Sequence, residues 1–127
     1  MKILLVEPDK LLARTYAGAL TRAGHAVAVA GTAQSAVHAA DEQTPELVIL
    51  EMQLVSHSGV EFLYEFRSYT DWENVPVLCL SQVPLGEFID AWQLMQEELG
   101  VQRYLYKPRT SLEKLTRAVD EFATMKP

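Results

Sequence analysis

Three carboxylates, a hydroxyl and a lysine stand at the ends of apolar runs in this chain. Residues 2–6 (KILLV) close on Glu7-Pro8-Asp9, residues 47–50 (LVIL) on Glu51, 77–80 (VLCL) on Ser81, and 104–106 (YLY) on Lys107-Pro108. If these runs are parallel strands, all the polar endings share one edge of one sheet, which is where open α/β sheets place their sites. Carboxylates so gathered hold a cation or pair with the lysine, while a hydroxyl and an ammonium suit an anion. What the crevice can do turns on Glu51 and Pro8.

The elements that must position these groups are legible as an alternation. KILLVE is a near-continuous apolar run, as in a strand buried on both faces. Residues 9–23 follow with Leu12, Tyr16, Ala19, Leu20 and Ala23 at helical spacing, and Gly24 stops them. Pro8 suits the first position of that helix. Residues 25–29 (HAVAV) read as a second strand, and Thr32 caps a helix ending at Asp41 or Glu42. Residues 46–51 read as the third strand, 56–59 as a loop, and Val60, Leu63 and Phe66 as the mark of a helix. Residues 71–74 read as a turn that leaves Trp72 exposed, and 75–80 as the fourth strand. Phe88, Trp92, Met95 and Leu99 form one stripe, packed and stopped by Gly100. Residues 103–106 read as the fifth strand, and Thr110-Ser111-Leu112-Glu113 as a capping box before Leu115, Val119 and Phe122. The expectation is a single domain over residues 1–127. Its class is α/β, a doubly wound (βα)5 flavodoxin-like parallel sheet with strand order 2-1-3-4-5. Glu7, Asp9 and Glu51 then converge between strands 1 and 3, flanked by Ser81 and Lys107.

Composition narrows the classes. The chain has 127 residues, 49% apolar and 22% charged, with a formal net charge of −6. That balance disfavours direct nucleic-acid binding, which needs a basic surface. Cys79 is the only cysteine and reads as a small buried hydrophobe. No run reaches the length of a membrane span and no signal peptide is evident, so a cytoplasmic protein without membrane contact is expected. His57 reads as a solvated loop residue, and His25 and His38 have no metal-like partners. Asp71, Glu73, Glu97 and Glu98 read as a solvated acidic surface.

The segments ILLVEPD, ELVILEMQLVSHSG, VPVLCLS and GVQRYLYKP, in that order, resemble the receiver domain of two-component response regulators over essentially the whole chain. The resemblance implies a phosphorelay module in which a strand-3 aspartate accepts a phosphoryl group from a histidine kinase. An acidic pair after strand 1 helps hold Mg²⁺ there. A Ser or Thr after strand 4 and a Lys-Pro after strand 5 contact the phosphoryl oxygens, and an aromatic three residues before the Lys changes rotamer with the switch. Carried over, Glu51 stands at the acceptor position, Glu7 at the first acid, Pro8 at the second, Ser81 at the hydroxyl, Lys107 at the lysine and Tyr104 at the aromatic. Gln53 would offer a backbone carbonyl to a metal.

Three residues depart from that pattern: Glu51 for Asp, Pro8 for Asp, and Gln82 for a small residue. Glutamate carries its carboxylate about 1.5 Å further out, one C–C bond. Phosphoryl transfer is mostly positioning, and about 1 Å of misplacement loses on the order of 100-fold in rate. Pro8 removes a ligand that Mg²⁺ needs. The expectation is therefore a pseudo-receiver: no enzyme, no catalytic residue and no cofactor. Mg²⁺ would be held at most weakly, by Asp9, Glu51 and the Gln53 carbonyl. Two readings of Glu51 stand side by side. It is either a built-in mimic of the phosphorylated acid or a plain partner of Lys107. The alternative function is a Mg²⁺-dependent receiver that still takes a phosphoryl group. A flavodoxin-like cofactor binder would need a phosphate-cradling loop where Glu7-Pro8-Asp9 stands. The implied partners are a histidine kinase or an effector domain. A homodimer is also implied through the face of helix 4, strand 5 and helix 5, with Arg103, Tyr104 and Tyr106.

Overall fold

The structure, a computed structural model, describes residues 1–125. Five parallel strands, β1 (Lys2–Val6), β2 (Ala26–Ala30), β3 (Leu47–Leu50), β4 (Val77–Ser81) and β5 (Val101–Tyr106), form one sheet in the order β2-β1-β3-β4-β5. Five helices connect and flank them: α1 (Lys10–Arg22), α2 (Ala33–Glu42), α3 (Gly59–Arg67), α4 (Trp92–Glu97) and α5 (Leu112–Thr124). The expected class and strand order hold. Among the described residues no helix is long and apolar enough to cross a membrane.

The pleat explains why the central strands are apolar on both faces. Ile3, Leu5, Leu47, Ile49, Leu78, Leu80 and Leu105 pack on one face with α1 and α5. Leu4, Val6, Val48, Leu50, Val77, Cys79 and Val101 pack on the other with α2, α3 and α4. Alternate residues thus serve two separate cores, which removes the polar half of the central strands β1, β3 and β4, while β5 at the edge keeps Gln102 and Arg103.

Several boundaries differ from expectation. Asp9 is the N-cap of α1, accepting from Leu12 N at 3.0 Å, so Pro8 precedes the cap instead of opening the helix. Its rigid φ holds the chain extended into the cap. Ser111, not Thr110, caps α5, accepting from Lys114 N at 3.0 Å; the Thr110 hydroxyl donates to the Tyr106 carbonyl. The loop after β3 is a two-residue hairpin, Gln53–Leu54 against His57–Ser58, with Ser56 at φ 61° in its turn. Ser58 and Glu61 then form a capping box for α3. The stripe expected as one helix is a 3-10 segment, Leu85–Ala91, followed by the six residues of α4.

Trp72 is the clearest correction. It is 4% exposed, stacked on Phe66 with centroids 5.0 Å apart and against Tyr69 at 4.6 Å. The 3-10 turn Thr70–Trp72 rolls it inward over the end of α3. Arg67 locks that corner, donating to the carbonyls of Leu99 (2.9 Å), Trp72 (2.7 Å) and Val75 (2.6 Å). Gly100, at φ +71°, makes room, because a Cβ there would lie 2.3 Å from the Arg67 guanidinium. Only a planar fork reaches three carbonyls at once. Arg67→Lys should therefore destabilise the fold by about 3 kcal/mol, each carbonyl left without its donor costing roughly 1–3 kcal/mol. A urea titration checks it. A loss below about 1 kcal/mol would mean water replaces the guanidinium.

Candidate functional site

Glu51 follows β3 directly, and its position is set by a backbone bond from its own N–H to the Val6 carbonyl at 3.0 Å. It is 3% exposed, as is Glu7, and Ser81 is fully buried. The Glu51 carboxylate accepts four hydrogen bonds. Oε1 accepts from Lys107 Nζ at 2.6 Å and from Gln82 N at 3.0 Å. Oε2 accepts from Gln53 N at 3.0 Å and from the Ser81 hydroxyl in a short contact. A carboxylate offers about four lone-pair sites, so this one is saturated.

The bonds continue outward. Ser81 Oγ accepts from Val83 N at 3.0 Å, and the Tyr104 hydroxyl donates to the Val83 carbonyl. The Tyr104 ring lies inward against Phe88 and edge-on to Trp92, each with centroids 6.2 Å away. Glu51 is thereby linked through Ser81 and Val83 to β5. Burial pushes the Tyr104 phenol up to about 12, so it remains a neutral donor across the physiological range.

Lys107 enters from the end of β5. Its ammonium stands 2.6 Å from Glu7 Oε1 as well as 2.6 Å from Glu51 Oε1, with the side chain 6% exposed. The Glu7 contact was not expected from sequence, although a lysine between two strand-end acids was signal enough. The second Glu7 oxygen accepts from Asp9 N at 3.0 Å. Asp9 itself does not join the crevice. Its carboxylate caps α1 and is exposed, because a free helix N–H lies nearer than the buried acids. Gln53 contributes its N–H, and its side chain is exposed.

These residues do not fit the divalent cation that the resemblance implies. Mg²⁺ needs oxygen donors in near-octahedral array. Pro8 brings no side-chain oxygen, Asp9 is turned to its cap, and the Lys107 ammonium occupies the space between Glu7 and Glu51. Among the described residues, no group of three His, Cys, Asp or Glu side chains is placed to hold a metal.

Charge is finely matched here. Burial pushes the Glu51 carboxyl up, but Lys107, Ser81 and two backbone N–H groups outweigh it and hold it below the ordinary range. Burial pulls Lys107 down, and its bonds to Glu51 and Glu7 outweigh that and hold it above the ordinary lysine range. Glu51 therefore stabilises the fold above the unfolded carboxylate pKa, near ~4.3, and the contribution fades as pH falls through its lower folded value. Lys107 stabilises below about 10.4, fading as pH rises through its higher folded value. Glu51→Gln should accordingly melt lower than the parent at pH 7 and lose less stability on acidification below about pH 4.5. Thermal melts across pH 3–7 check this. Parallel acid limbs in the two proteins would place the titration elsewhere.

Comparison with known proteins agrees with this architecture. The model of the response regulator receiver domain matches residues 3–120. The KDP operon transcriptional regulatory protein KdpE of Escherichia coli K12 is 30% identical over 106 residues, covering 84% of this chain and 44% of that one. The probable transcriptional regulatory protein y4xI of Sinorhizobium fredii is 36% identical over 118 residues, covering 92% and 48%. The chain thus spans less than half the length of these two relatives. The chemotaxis response regulator CheY4 of Vibrio cholerae shares the fold, with a TM-score of 0.82 at 20% identity over 95% of this chain and 97% of that one.

Proposed function

This chain belongs to the response regulator receiver domain family, and on that premise we propose that it is a two-component signalling module whose state is set by Glu51 itself. The observation that carries the reading is the saturation of the Glu51 carboxylate. The Ser81 hydroxyl, the Gln82 N–H and the Lys107 ammonium all bond to it already. In receivers such a hydroxyl and lysine serve the phosphoryl oxygens. The extra methylene of glutamate lets the side chain reach the donors that an added anion would use. The inward Tyr104 and the Ser81 contact are both features of the switched arrangement, and they support the mimic over a plain pair. Glu51 carries one negative charge, against roughly 1.5 to 2 on a phosphorylated side chain. The resulting state is fixed and needs neither phosphodonor nor Mg²⁺.

The module would bind partners rather than turn over a substrate. Receivers of two-component systems work with histidine kinases and effector domains, and either class suits this chain, in the cytoplasm. A homodimer through α4, β5 and α5 is supported by exposed Ile89 and by Arg103 and Tyr106 at the edge strand.

A second reading keeps phosphorylation. Family membership together with the retained Glu7, Ser81 and Lys107 favours it. Incubation with acetyl phosphate and Mg²⁺, followed by intact mass analysis, separates the two. No adduct is expected. A labile 80 Da adduct lost in Glu51→Gln would establish the second reading instead.

A further inference from the structure

The sheet separates charge. Between Gly24 and Gln102 the sequence has a single Lys or Arg, Arg67, and its guanidinium is turned inward onto three backbone carbonyls. That span builds α2, α3 and α4, the whole layer on one face of the sheet, and ten of its acids are exposed. No lysine or arginine of this layer faces outward among the described residues. Both outer helices of the opposite layer, α1 and α5, carry lysine and arginine.

A groove of about 540 Å³ lies within the acidic layer, between α2 and α3. Val37, Tyr69 and Trp72 line it with apolar and aromatic surface, and Asp41 and Glu65 line it with charge. Both carboxylates are exposed, and neither has an ion pair or a hydrogen bond among the described residues. On α2, His38 Nε2 lies 3.1 Å from the Glu42 carboxylate. His57 of the hairpin after Glu51 also lines the groove, so it adjoins the loop that leaves the central site.

We propose that this groove is a docking site for a cationic segment of a protein partner. Its Lys or Arg heads would pair with Asp41 and Glu65, and one side chain would lie over the exposed Tyr69 ring, which Trp72 backs from inside. Charge complementarity selects the occupant. An anionic or nucleic-acid ligand meets only repulsion here, whereas an arginine gains carboxylate pairing and an aromatic face together. A second copy of the chain would offer the α1 cations Lys10, Arg14 and Arg22, whereas Arg103 and Arg117 already pair with Glu121 and Glu113, so self-association is the competing occupant that the test separates. The site is independent of the reading of Glu51.

The test uses the full chain and a hexa-arginine peptide, with hexa-glutamate as control, followed by amide chemical shifts and calorimetry. The arginine peptide should bind saturably below about 1 mM and shift amides of residues 34–41, 57 and 65–72. Asp41→Asn combined with Glu65→Gln should weaken binding about fivefold, two rim pairs each contributing modestly. Glu97→Gln combined with Glu98→Gln, on the same layer outside the groove, should change it less than about twofold. Equal weakening by both variant pairs would mean a diffuse field and overturn the proposal. Absence of saturable binding would also overturn it, as would a dimer of the free chain that Asp41→Asn and Glu65→Gln abolish.

Discussion

Lys107→Met is expected to lower stability by about 3–5 kcal/mol at pH 7, the typical loss when one partner of a buried ion pair is removed. Glu7 and Glu51 are both 3% exposed and share the one ammonium. Without it, two carboxylates face each other through a dry gap, and each is driven toward its protonated form. For a chain of this size the melting temperature should fall by roughly 10–20 °C. The sign of the pH dependence should also reverse. In the variant the folded carboxyl pKa values rise above their unfolded values, so stability is recovered as pH falls from 7 toward 5. In the parent the Glu51 and Lys107 contributions do not change over that interval. Adding Glu7→Gln and Glu51→Gln to Lys107→Met should restore most of the loss, since no buried charge is then left unpaired. Melts of the parent and both variants at pH 7 and 5.5 test this. A loss below about 1 kcal/mol with no pH reversal would mean that water reaches the pair and screens it.

The second large effect is a gain. On the proposed reading, Pro8→Asp with Glu51→Asp should accept a phosphoryl group and the parent should not. Shortening residue 51 withdraws its carboxylate by about 1.5 Å and releases Ser81, the Gln82 N–H and Lys107 for phosphoryl oxygens. An aspartate at position 8 supplies an oxygen beside Glu7, which makes a divalent cation feasible where Lys107 now stands alone. With acetyl phosphate and Mg²⁺, the double variant should show the 80 Da adduct under conditions in which the parent shows none, since positioning alone is worth on the order of 100-fold in rate. Each single variant should fall between them, because positioning and charge stabilisation both contribute. Labelling of the parent as fast as the double variant would contradict the account.

Much of this was legible in the chain itself. Apolar runs with polar ends marked the parallel strands, the common flavodoxin-like arrangement supplied their order, and together they brought Glu7, Glu51, Ser81 and Lys107 to one edge. Gly24, at φ +100° after α1, stops the helix as its position suggested. What escaped was local competition for hydrogen bonds. Asp9 is one residue from Glu7 and carries the right chemistry for the crevice, yet the open N-terminus of α1 claims it. Trp72 lies in a polar turn, and only the tertiary corner built by Arg67 and Phe66 buries it. The hairpin after Glu51 was hidden because its strands are two residues long. Its capping box, Ser58-x-x-Glu61, is a readable signal that α3 starts at the end of that loop. The Val83 backbone, whose N–H donates to Ser81 Oγ and whose carbonyl accepts from Tyr104, has no signature in sequence because no side chain takes part.

The central claim is that the anion seat beside Ser81 is already filled by the Glu51 carboxylate. Its most direct test is a titration of the parent chain with beryllofluoride and Mg²⁺, a tetrahedral phosphoryl mimic with its usual cation, followed through the amides of Gln53, Ser81, Gln82, Val83 and Tyr104. The account predicts that these resonances stay where they are, while the same titration of Pro8→Asp with Glu51→Asp moves them together. Saturable shifts of all five in the parent would contradict it.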